Sequence, residues 1–179
     1  MADIVLTGNT SGTITVAAPA VAGTNTITLP ASTGTVLTDT APKTGNVLQV
    51  VNTTTSTSVT STGAWNDTTL TASITPTSSS SKILILVNQS GCLKTGANTR
   101  GQLMLLRGAT NLINFERGFG YNNQTNDHES GACSTCYLDS PATTSSTTYK
   151  TQVNNMGSGS IIVQWDSSVS SMTLMEIAG

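Results

Sequence analysis

The chain has 179 residues, only 9% of them charged, and seven basic against nine acidic side chains leave a net charge of −2. The basic residues are scattered singly, which excludes an electrostatic footprint for nucleic acid and a polybasic patch for anionic lipid. Serine and threonine supply nearly a third of the chain, yet mean hydropathy is +0.01 and Leu, Ile, Val and Met return in strand-length runs beyond residue 45, so a disordered low-complexity chain is excluded too.

No apolar run approaches the ~20 residues of a membrane helix. Residues 1–8 lack a basic region followed by a long apolar stretch, so synthesis in a cytoplasm without a secretory signal is expected. The thiols of Cys92, Cys133 and Cys136 do not form an even disulfide framework.

In chain order, residues 13–16 (Thr-Ile-Thr-Val) and 26–29 (Thr-Ile-Thr-Leu) write the same short strand twice, and 35–37 (Thr-Val-Leu) follow. Each alternates threonine with an aliphatic residue, the signature of a strand with one buried face. None is long enough to bury that face within its own segment, so partners from other copies of the chain are expected. Pro42-Lys43-Thr44-Gly45 marks a boundary, dividing residues 1–44, an extended N-terminal β attachment segment, from residues 45–179, a C-terminal knob.

Beyond it, strands are predicted over 47–52, 69–75, 82–88, 102–107, 112–116, 133–138, 147–153, 161–165 and 172–177, separated by turn-rich breaks, with no 3.6-residue periodicity. That pattern predicts an all-β chain with a jelly-roll-like β-sandwich. Residues 83–87 are apolar at every position, and 172–177 carry apolar residues on both parities. Both faces of these strands should therefore be covered, and a subunit interface of cyclic symmetry on the outer sheet would do so. Trp65 and Trp165 are expected in the core.

Three stretches, Tyr137-Leu138-Asp139-Ser140-Pro141, residues 147–153 and residues 172–179, resemble the C-terminal domain of tailed-bacteriophage fibre and virion structural proteins of the marine and cyanophage type. The opening, Gly-Thr-Ile-Thr-Val-Ala-Ala-Pro-Ala and Thr-Ile-Thr-Leu-Pro-Ala-Ser-Thr-Gly-Thr-Val, looks like the N-terminal stretch of the same class. The resemblance implies a homotrimer in the virion, attached to other virion proteins through residues 1–44 and released by lysis. A short tail fibre is the first expectation, a capsid decoration or head fibre protein the second, and a glycan-cleaving tailspike the alternative from another class.

Chemistry is sparse. His128 lies five residues before Cys133-Ser134-Thr135-Cys136, and thiolate with imidazole suits zinc. Three candidate ligands, His128, Cys133 and Cys136, do not complete a tetrahedral set unless Cys92 joins. On a strand, moreover, the odd spacing of Cys133 and Cys136 points them to opposite faces, so neither a metal nor a cofactor is expected. There is no G-x-S-x-G elbow. Glu116 and Asp139 are the carboxylates nearest to aromatic residues, but paired-carboxylate glycan cleavage has little material here, and no enzyme activity is expected. Binding is the better-supported expectation. Arg117, Phe119, Tyr121, Asn122 and Asn123 combine a cation, two aromatics and amides in one predicted loop, the composition of a receptor site for host surface glycan.

Overall fold

Alternating threonine and aliphatic residues make strands because β-branched side chains fit a pleated, half-buried surface. The structure, a computed structural model, describes residues 4–7, 12–17, 23–24, 42–124 and 131–179. The chain divides into two units, residues 1–36 and 37–179.

In the first unit, β1 (Ile4–Thr7) pairs antiparallel with β2 (Thr13–Val16), Ile4 opposite Val16 and Thr7 opposite Thr13. The 13–16 strand thus finds its edge partner in a neighbouring segment of its own chain, one that sequence reading left unassigned. Backbone pairing does not supply burial, however: Leu6 and Val16 stay exposed. The expected strands at 26–29 and 35–37 lie outside the described residues.

The second unit contains β3 (Val47–Thr55), β4 (Val59–Ser61), β5 (Asn66–Ile74), β6 (Lys82–Thr95), β7 (Gly101–Arg107) and β8 (Thr110–Phe119). It continues with β9 (Gly131–Asp139), β10 (Thr147–Asn155), β11 (Ser160–Val163), a 3-10 turn at Trp165–Ser167, and β12 (Ser170–Ile177). One antiparallel sheet runs β5-β10-β7-β8; in the other, β6 pairs with β9 on one side and with β12, then β11, on the other. β3 and β4 flank β12 and β11 in turn, so each of these pairs is one strand interrupted in the middle. With each interrupted pair taken as one strand, every connection within the second unit except the β7–β8 hairpin crosses between the sheets, which is the jelly-roll arrangement.

Burial follows the period of two: Leu70, Ala72 and Ile74 of β5, Ile83, Ile85 and Val87 of β6, and Met172 and Leu174 of β12 form one apolar cluster with Leu105 and Tyr149. A second cluster holds Cys92, Leu103, Val153, Ile161 and Val163.

Between the clusters lies a fully buried polar layer. Thr151 donates to Gln89 Oε1 (2.9 Å), Gln89 Nε2 to Ser170 Oγ (3.0 Å) and Gln164 Nε2 to the same Oγ (3.1 Å), while Thr68 and Thr151 share a hydroxyl hydrogen bond. The strands break stride here: the β5–β10 register shifts beside Thr69, which has φ +64°, β6 bulges before Cys92, and β11 and β12 part. Bulging leaves backbone groups without ladder partners, and the layer answers some of them, Ser90 N donating to Ser170 Oγ (2.9 Å) and Leu70 N to Thr68 Oγ1 (3.3 Å).

The sheets are also tied near the end where residues 42–46 enter. One guanidinium nitrogen of Arg107 donates to both oxygens of Asp139 (2.9 and 2.8 Å), and Tyr149 Oη donates to the same carboxylate (2.7 Å). Burial, then the Asp139 hydrogen bond, pushes the Tyr149 phenol far up, so it stays a donor. Glu176, buried, accepts from Gln49 Nε2 (2.6 Å) and from Thr77 N and Oγ1 (both 2.7 Å). Burial pushes its carboxyl up, but these hydrogen bonds outweigh that and hold it below its ordinary 4.5.

Three expectations change. β6 runs on to Thr95, past the apolar stretch that ends at Val87, because its polar residues meet partners inside. The last strand before the Trp165 turn stops at Val163, and Trp165 is 41% exposed rather than in the core, while Trp65 is half-buried. Within the single chain the outer face of 82–87 and 172–177, expected to lie at a subunit interface, stays partly open: Leu86 is 38% exposed and Leu84 and Met175 are half-buried.

Replacing Gln89 by Leu removes one hydrogen bond each from the buried Thr151 and Ser170 hydroxyls, and chemical denaturation should show a loss of about 1–3 kcal/mol; an unchanged midpoint would refute the layer's role. The sign for Glu176 is that of a depressed carboxyl: its contribution is complete above about pH 4.5 and is lost as pH falls through the lower folded value. Glu176→Gln should therefore be less stable at neutral pH and lose less stability on acidification, measured as thermal midpoint against pH.

Candidate functional site

The jelly-roll path sorts the connections by end. Residues 42–46, the β5–β6, β7–β8 and β9–β10 links and Ala178 lie at one end, and the β4–β5, β6–β7, β8–β9 and β10–β11 loops at the other. The second, distal end therefore collects loops from both sheets, far from where residues 42–46 enter.

Those loops are bound to one another. Asn98 N donates to Asn122 O (2.8 Å), Met156 N to Arg100 O (2.9 Å) and Gly159 N to the buried Thr99 Oγ1 (3.0 Å). At their centre the Lys94 ammonium, 1% exposed by residue, donates to Gln124 O (2.9 Å), to Asn122 Oδ1, and at 3.4 Å to the carbonyls of Gly96 and Asn122. A buried ammonium is tolerated only where oxygens replace its water. These oxygens thus form a small cation site that the Lys94 ammonium fills, which holds the 120–124 loop down.

The structure distributes the five receptor candidates over two elements. Arg117 and Phe119 belong to β8, an edge strand, which extends beyond the predicted 112–116. Arg117 is exposed; Phe119 is half-buried against the second apolar cluster, its ring so close to Gly101 that a Cβ there would lie 2.1 Å away. Tyr121, 62% exposed, and Asn123 stand at the surface, whereas Asn122 is half-buried and its carbonyl and amide oxygens hold the loop. The exposed set at this end also includes Asn98, Arg100, Gln124 and Ser158, which sequence reading did not single out. Lys94 could have been noticed: it shares the inward parity of Cys92, a position where a lysine needs a reason.

The weak metal candidates separate. Cys133 pairs with the buried Gln89 and packs into the core, Cys136 pairs with Leu86 on the outer face and is exposed, and His128 lies outside the described residues. The neighbouring Cys133 thiol, then burial, pushes the Cys92 thiol up and keeps it protonated, and Cys92 Sγ donates to Gln89 O (3.2 Å). Among the described residues no three His, Cys, Asp or Glu side chains come together to hold a metal ion. Of the two carboxylates weighed for glycan cleavage, Asp139 is buried in the Arg107–Tyr149 tie, and Glu116 Oε1 accepts from Arg117 N (2.8 Å) and Gly118 N (2.9 Å).

A second feature is the outer face of the larger sheet. Val50, Met175, Leu84 and Leu138 stand in register across β3, β12, β6 and β9 as one apolar row, Val50 56% and Leu138 51% exposed. The next row, Asn52, Thr173, Leu86 and Cys136, is neutral as well.

No protein-family model matches the chain, and no curated protein does. Among solved structures it is similar to the VP2 subviral particle of infectious bursal disease virus, at 12% identity and a TM-score of 0.46, over 73% of this chain and 33% of that one. The Gt and Gx strains of the same virus match over 97% of this chain and 46% and 40% of theirs, with TM-scores of 0.42 and 0.45 at 11% and 13% identity. The chain thus spans less than half the length of these structures, and the reading below rests on its own geometry.

Replacing Lys94 by Met should release the distal loops. Amide exchange at Asn98 and Gln124 should accelerate at least tenfold while the paired β6–β12 core stays protected; unchanged exchange would refute the anchoring role.

Proposed function

We propose that the chain is a non-enzymatic structural protein of a virion, a short trimeric fibre of tailed-phage type. Residues 1–44 attach it to neighbouring virion proteins, and the distal loops of the sandwich contact host surface glycan. The observation that carries this reading is the neutral apolar row on the outer face of the larger sheet, left exposed or half-buried by a fold that buries the opposite face of β6 and β12. An apolar row crossing four strands is costly to leave in water and is the kind of surface that marks an interface.

Other copies of this chain are the occupant we favour. The outer-face rows are uncharged and the chain is only 9% charged, so apposed copies meet without desolvating ions. The polarity of the sandwich supports the remainder. Residues 42–46 enter at one end, and the exposed tyrosine, arginines and amides gather at the other, the arrangement that a tethered adhesive knob requires.

Light scattering on the purified protein should give about three times 18.4 kDa, and Leu138→Lys with Val50→Glu should yield a folded monomer; a monomeric parent would defeat the trimer. Tyr121→Ala and Arg117→Ala should abolish adsorption of particles to host cells while leaving the trimer intact, and full adsorption by both variants would defeat the distal receptor site.

A further inference from the structure

The turn between β11 and β12 is held in a costly backbone conformation. Three of its four residues from Gln164 to Ser167 have left-handed backbones without being glycine: Gln164 at φ +54°, Asp166 at +51° and Ser167 at +60°. Such positions persist only where surrounding structure imposes them, and they gather at binding and catalytic sites.

Here the imposing contacts are visible. The Gln164 side chain is anchored in the buried polar layer through Ser170 Oγ (3.1 Å), its N–H donates to Ser90 O (2.9 Å), and Ser168 N donates to Trp165 O (3.0 Å). Gly91, at φ +60°, lets the turn settle on β6, since a Cβ there would lie 2.5 Å from Trp165 N. The result displays Trp165 at 41% exposure, followed by exposed Asp166 and Ser167 and by Val169 at 57%.

We infer that this turn is a second glycan-contact site, with Trp165 as the stacking platform for one sugar ring and Asp166 and Ser167 as partners for its hydroxyls. Size decides between sugar and protein. An aromatic side chain offers ~150–250 Å², so the exposed part of Trp165 is on the order of 100 Å². That is the face of one pyranose ring, against the ~800 Å² per partner of a stable protein interface. An indole face suits the C–H face of a sugar, a carboxylate accepts from its hydroxyls, and a turn already fixed loses little freedom on binding. The site uses none of the distal-loop residues, so it stands or falls separately from the receptor site proposed above.

The full chain should be titrated with neutral glucan, galactan and mannan hexasaccharides, following the indole N–H resonance of Trp165 and tryptophan emission. Saturable perturbation of Trp165 by at least one of the three is expected. The affinity should fall at least tenfold in Trp165→Ala and several-fold in Asp166→Asn, with the thermal midpoint of Asp166→Asn unchanged and no effect of Tyr121→Ala. The inference is overturned if none of the three perturbs Trp165, if Trp165→Ala binds as the parent does, or if Trp165→Ala lowers the oligomeric mass instead of saccharide affinity, which would make the turn a contact between copies.

Discussion

The buried amide of Gln89 is the constraint around which this sandwich is organised. Its oxygen accepts a hydrogen bond from the Thr151 hydroxyl of the opposite sheet and its nitrogen donates to Ser170 on the neighbouring strand, so one side chain fixes the relative position of β6, β10 and β12. An apolar residue there would satisfy the packing but not the hydroxyls, and buried polar groups without partners cost more than hydrogen bonds gain. The strands bulge or break at the same level, and backbone groups that lose ladder partners there find them in the layer.

Two apolar clusters and two ends follow from that girdle. On one side, Leu, Ile and Tyr149 pack under the Asp139–Arg107 tie, where residues 42–46 join the sandwich. On the other, a smaller cluster supports loops that would have no core of their own, and the Lys94 ammonium substitutes for one by gathering their carbonyls. The strained Trp165 turn is a product of the same layer: Gln164 contributes its side chain to the girdle, which forces the following residues outward.

The surfaces proposed for assembly and display lie on different faces of one molecule. The inner faces are committed to the core; in the proposed function the outer row of Val50, Met175, Leu84 and Leu138 is the surface for copies, and the distal loops with the Trp165 turn are the surfaces for ligands. Such a division suits a fold whose sheets bury one face each and whose loops, supported by rigid strands, are free to carry recognition.

The class of the fold was legible in the chain because alternation is local. Leu70, Ala72 and Ile74, or Met172 and Leu174, announce a buried face at intervals of two, and a strand needs nothing else to be recognised. The all-β sandwich, most strand positions and the neutral outer row were therefore readable, as was the divergence of Cys133 and Cys136. What the sequence hid was every feature whose partner is distant along the chain. β6 beyond Val87 reads as polar until Ser170 is placed beside Gln89, 81 residues away, and Lys94 reads as a surface cation until Asn122 and Gln124 enclose it. Phe119 reads as part of a display loop until it meets Gly101, and Trp165 as core until the girdle turns it out. Periodicity is set by neighbours two residues apart, but the satisfaction of a buried polar group depends on which strands cross it, and that only the tertiary structure decided.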